Sequence, residues 1–139
     1  MTAVSAYLAT LIVFVLADLL WLGVMVDRLY KPTIADLMSS GLHLPAAVAF
    51  YLIAPAGLVY FAVMPALRDA SLSSAAVNGA LYGFFTYATY DLTNQATLRE
   101  WSTKLTVVDI AWGVALAAFA SSLGFVFASR LGRLFVTPV

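Results

Sequence analysis

The stretch YATYDLTNQATLREW, Tyr87 to Trp101, decides how this chain is read. It follows SAAVNGALYGFFT, which has the character of a helix buried in lipid. Yet it holds an aspartate, an asparagine, a glutamine, three threonines and two tyrosines. A membrane helix need not end on lipid-facing groups if its last turns line a polar pocket with neighbouring helices. That reading makes the stretch the end of a span, and it makes the polar groups a site.

The rest of the chain supports a membrane setting. Of 139 residues, 63% are hydrophobic and 10% charged, against roughly 25% charged in a soluble domain. So few charges cannot cover a protein surface, so lipid must be part of the solvent. Seven basic and seven acidic residues leave no net charge, which excludes a basic surface for nucleic acid. Cysteine is absent and histidine occurs once, at His43. That removes disulfides, thiolate zinc and iron–sulfur sites, multi-histidine di-iron centres and bis-histidine haem. There is no GxSxG elbow, P-loop, dinucleotide fingerprint or TVGYG filter. No cofactor or metal is indicated, no enzymatic activity is assigned, and the remaining chemistry belongs to carboxylates, tyrosines and a few cations.

A bilayer core takes about 20 apolar residues per helix, and four segments meet that length: 4–26, 46–64, 75–94 (with a possible extension to Leu98) and 105–128. The predicted fold is all-α, a single-domain integral membrane four-helix bundle with both termini on one side. The N-terminal run has no Lys or Arg before it and reads as a retained transmembrane helix. Pro55 should kink the second span and free a carbonyl. Loop one, DRLYKPTIADLMSSGLHLP, is long and amphipathic, with Pro32 placed to open a short interfacial helix. Loop two, ALRDASLSS, is a tight turn whose serines suit a helix cap. Tyr7, Tyr30 and Trp101 suit the membrane–water interface. Arg68, Arg130 and Arg133 fall on one side and Arg28, Lys31, Arg99 and Lys104 on the other. Three against four sets no orientation by the positive-inside rule, so insertion in both orientations stays open.

Three aspartates fall in one half of the membrane on this topology. Asp18 lies on the order of 12 Å from the loop-one end of its span, and Asp91 and Asp109 roughly 5–10 Å from the loop-three end of theirs. Each costs about 2.5–3.5 kcal/mol on insertion scales. Protonation offsets that cost, and so does pairing with Arg28, Arg99 or Lys104 reaching in from the interface. Helical spacing puts Tyr87, Asp91 and Asn94 on one face, with Tyr90 four residues before Asn94. DLLWLG and DIAWG each place a tryptophan, Trp21 and Trp112, three residues after an aspartate. The bland alternative for all these groups is hydrogen-bonded glue between helices. Gly79 to Gly83, GALYG, reads as plain helix packing.

YATYDLTNQATL with VVDIAWG resembles a family of small bacterial four-span membrane proteins, catalogued as domain of unknown function 2177. The likeness extends over nearly the whole chain. It takes in DLLW of the first span, LYKPTI of loop one and AFYLIAPAGLVYFAVMPAL of the second span. Tyr-Asp-Leu-Thr-Asn is its specific motif. The resemblance implies the fold and this core motif and carries no activity.

Three functions compete. A small transporter, oligomeric and placed in a bacterial inner membrane, would bind a proton or cationic solute at Asp91, helped by Asp18 and Asp109. Asn94, Tyr87 and Tyr90 would then supply hydrogen bonds, Trp21 and Trp112 aromatic walls, and Arg99 a nearby cation. An enzyme or accessory factor would instead use the carboxylates as acid and base on a lipid or isoprenoid entering sideways. A non-catalytic membrane subunit would use them only as internal ties. Membrane lipids are partners in every case.

Overall fold

The structure, a computed structural model, describes residues 2–134, with the side chains of Thr2, Arg133 and Leu134 outside that description. Among the described residues there is no strand. Helix α1 (Thr2–Met25) runs through a π-helical turn (Val26–Tyr30) into the short α2 (Lys31–Ile34) and a 3-10 turn (Ala35–Leu37). Helix α3 (Leu44–Leu58) runs through a second π-helical turn (Val59–Val63) into α4 (Met64–Arg68). Helices α5 (Leu72–Thr97) and α6 (Thr103–Leu134) complete the bundle. Three stretches are long and apolar enough to cross a membrane: Ala3–Leu37, Leu44–Arg68 and Thr103–Leu131. The span expected at 75–94 has its helix, α5, but not the apolarity of the other three.

The threonines of α5 satisfy their own hydroxyls. The hydroxyls of Thr86, Thr89 and Thr97 donate to carbonyls one turn back, on Tyr82, Phe85 and Thr93, at 2.8, 2.6 and 2.8 Å. Each of these three hydroxyls is thereby satisfied inside its own helix, as hydrocarbon would require. Gln95 Nε2 donates across the following turn to Thr103 Oγ1 at 2.8 Å. The cap expected in loop two forms: Ser71 Oγ accepts from the Ser74 amide at 3.2 Å.

Both π-turns precede a proline. Pro32 and Pro65 stand second in α2 and α4, and neither can donate to the turn before it. The residue just ahead of each bonds five residues back instead: the Lys31 amide to Val26 O, and the Met64 amide to Val59 O. The chain therefore stays helical through a sequence that reads as a break. As a consequence loop one is shorter than expected. Pro32 does sit in the first turn of a short helix, but that helix continues α1.

Packing is antiparallel around α6. Along α1, Ala6, Thr10, Phe14 and Asp18 are buried at four-residue spacing, while Leu8, Ile12, Leu16 and Leu20 point outward. The outward leucines and isoleucine give α1 a lipid face. On the seam between α5 and α6 the backbones nearly touch. A Cβ on Gly83 would lie 2.1 Å from Gly113 O, and one on Gly79 would lie 2.6 Å from Ala117 O. Ser121 Oγ, fully buried there, can donate to Ala75 O at 2.8 Å across the seam. GALYG is thus a helix-packing element. Phe14, Leu58, Ala62, Leu116, Ala117 and Ala120 form the centre of the core.

Candidate functional site

The aspartates on α1 and α6 are knotted together by aromatic donors. Trp112 Nε1 donates to Asp18 Oδ1 at 3.0 Å, and Tyr51 Oη donates to Asp18 Oδ2 at 2.8 Å. Tyr30 Oη donates to Asp109 Oδ1 and itself accepts from Trp21 Nε1 at 3.1 Å. The two indoles stack with centroids 4.3 Å apart and planes 4° from parallel. The echo between DLLWLG and DIAWG therefore has a physical form. Each tryptophan serves the aspartate of the other motif, Trp112 directly and Trp21 through Tyr30.

Tyr87 lies flat over Gly113, where a Cβ would fall 2.2 Å from its ring. Asp18, Asp109, Tyr30 and Tyr51 all act on it electrostatically, so α1 with its π-helical turn, α3, α5 and α6 meet at this level through one group. Asp91 differs from the other acids. It is 0% exposed, and neither carboxyl oxygen has a hydrogen-bond partner among the described residues, although Asp109 is near enough to repel it. Asn94 is half-buried one turn on, hydrogen-bonded to Tyr90. Tyr90 also meets Trp101 edge to face at 5.8 Å. Arg99 is exposed, in a separate surface groove with Lys31 and Glu100.

Among the described residues the ion pair is Lys31–Asp27, 2.6 Å apart and exposed. No described cation pairs with the three inner aspartates, and the ties to Asp18 and Asp109 are phenols and indoles.

A cavity of about 590 Å³ opens beside this knot. Its floor is buried: Phe14 of α1, Gly83 of α5, and Asp109 and Ala117 of α6. Its rim is exposed and belongs to α3 and α5, with Ile53 69% and Tyr90 56% exposed beside Phe50 and Thr86. The rim on α3 lies roughly 9–15 Å along the helix from Leu44, inside the apolar stretch Leu44–Arg68. Tyr82 closes one end of the gap. Its ring sits over Gly57, and its hydroxyl donates to Ala54 O at 3.1 Å. The carbonyl that an α-helical register would leave free at Pro55 belongs to Tyr51, three residues before the one Tyr82 reaches. Trp21 and Trp112 do not line this cavity but a shallower groove between α1 and α6. The cavity's aromatic walls are Phe14, Phe50, Tyr82, Tyr87 and Tyr90.

Sequence reasoning missed two members of the knot. Tyr30 reads as an interfacial residue because Pro32 suggests the helix has ended, and only the π-turn carries it back over Asp109. Tyr51 is hidden in an apolar run, with no spacing signal to mark it.

Long apolar helices, internally satisfied polar groups and a buried polar knot define an integral membrane protein built as a helical bundle. Residues 3–126 match the family described as "Predicted membrane protein (DUF2177)", and the chain belongs to that family. No curated protein and no solved structure matches the chain.

Proposed function

We propose that this membrane protein binds a lipid-soluble small molecule that enters sideways from the bilayer between α3 and α5. The carrying observation is the cavity: apolar walls, a rim within an apolar stretch, and a single carboxyl group at its floor. Such a site takes an amphiphile whose apolar body lies on the aromatic walls and whose polar end meets Asp109. Tyr30 holds one oxygen of that carboxyl in place. Asp18, with both oxygens occupied, is a structural tie in this reading.

The test is extraction. Wild-type protein and an Ala54→Trp variant are purified in bilayer nanodiscs and their bound small molecules compared by mass spectrometry. Ala54 lines the cavity, so an indole there fills the space, and the variant should lose a species that the wild type retains. Identical extracts from two equally folded proteins would sink the proposal.

A second reading, proton-coupled transport, is favoured by Asp91. Intramembrane acids without a partner mark proton and ion pathways in many membrane proteins. Proteoliposomes should then pass protons, and Asp91→Asn should abolish the flux. Flux that persisted in this variant would remove Asp91 from any such path.

A further inference from the structure

We propose that the occupant of the lateral cavity is a lipophilic amine, bound as its cation by Asp109 and by the aromatic walls. This rests on the lateral-binding reading above and names the class of ligand. The first argument is charge. Asp109 is 6% exposed and lines the cavity, and among the described residues no Lys, Arg or His lines it. Tyr30 occupies Oδ1, and no described residue bonds Oδ2. Asp18 and Asp91 act nearby on Asp109, and neither of them brings a cation with it. A buried acid is stabilised by protonation or by pairing, and a ligand cation supplies the pairing that no described residue does.

The second argument is the wall chemistry. Five aromatic rings line a cavity that holds one carboxylate, and ring faces attract a cation while repelling an anion. A carboxylate, phosphate or sulfate head group would meet like charge at the floor and find no basic side chain to offset it. An alcohol would bond to Asp109 without using the walls. An ammonium group uses both: it donates to Oδ2 and lies among Tyr87, Tyr90 and Phe14. Its alkyl body then extends past Phe50 and Ile53 toward the lipid.

The experiment holds the chain length fixed and changes the sign of the head group. Octylammonium, octanol and octanoate are titrated into protein in nanodiscs, with empty nanodiscs subtracted, and tryptophan emission is followed. Trp21 reaches Asp109 through Tyr30, so occupancy at the carboxyl perturbs it. Octylammonium should half-saturate about tenfold below octanol, as a charge-assisted bond in a dry site predicts. Octanoate should not saturate. In Asp109→Asn the amine and the alcohol should converge.

Equal binding of amine and alcohol, or tighter binding of octanoate, overturns the amine assignment while the lateral cavity stands. Failure of all three to saturate wild-type protein overturns both readings. An amine preference that survives in folded Asp109→Asn overturns the role of Asp109. Should that variant not fold, the wild-type ranking of the three probes still decides the class.

Discussion

At one depth in the membrane, the two sides of this bundle are built on opposite terms. Where α1 meets α6, polar groups cross between helices and find each other. Asp18 takes both an indole and a phenol, and Asp109 takes a phenol that is held by a second indole. Where α3 faces α5, a single tyrosine hydroxyl reaches across, from Tyr82 to Ala54 O, and beyond it the helices part around the cavity. The threonines on that side bond their own helix rather than a neighbour. Close packing and interhelix hydrogen bonds hold helices together where lipid competes equally well for apolar surface. The tied side is therefore the scaffold, and the untied side is where a ligand can enter.

The sharpest way to break this contrast is to attack the seam that lets the open side stay open. Helix α5 is held to α6 by backbone approach at Gly83, at the cavity floor. Gly83→Val drives a branched side chain into Gly113 O, a backbone atom that cannot turn aside. We expect a loss of about 3 kcal/mol or more, read as collapse of the monodisperse species in detergent and a large fall in Tm. A variant that melts like wild type would mean that α5 is held from elsewhere, and the assignment of scaffold to the α6 side would fail.

Much of this was readable from residue order, and the unreadable parts have physical causes. Apolar run lengths set the helices, and counting along them put Asp18, Asp91 and Asp109 in one half of the bundle. The reciprocal aspartate–tryptophan motifs were visible as a repeat, although not as partners. Tyr30 was not legible because a π-turn, invisible in spacing, carries the helix past the point where Pro32 suggests a stop. Nor was the cavity. It arises from side chains that do not meet across α3 and α5, and a sequence records which residues are present, not which fail to touch. The lower apolarity of α5 was plain in Tyr87–Trp101, but its self-satisfied threonines needed coordinates.

The smaller effects compare the three aspartates directly. Asp18→Ala strands the Tyr51 hydroxyl and the Trp112 indole N–H, two inner donors at about 1–3 kcal/mol each. The expected loss is therefore about 2–4 kcal/mol once partial rearrangement is allowed. Asp91→Leu should behave differently. Its carboxyl is as buried as that of Asp18 but has no hydrogen bond to lose, and an apolar group of similar size removes an unpartnered polar one. Stability should hold within about 1 kcal/mol of wild type or rise, as measured by thermal melting in one detergent. The gap between the two variants is the quantity that matters. If Asp91→Leu fell as far as Asp18→Ala, Asp91 would be a tie like the others, and neither proton handling nor any other function would be needed to explain an acid in that place.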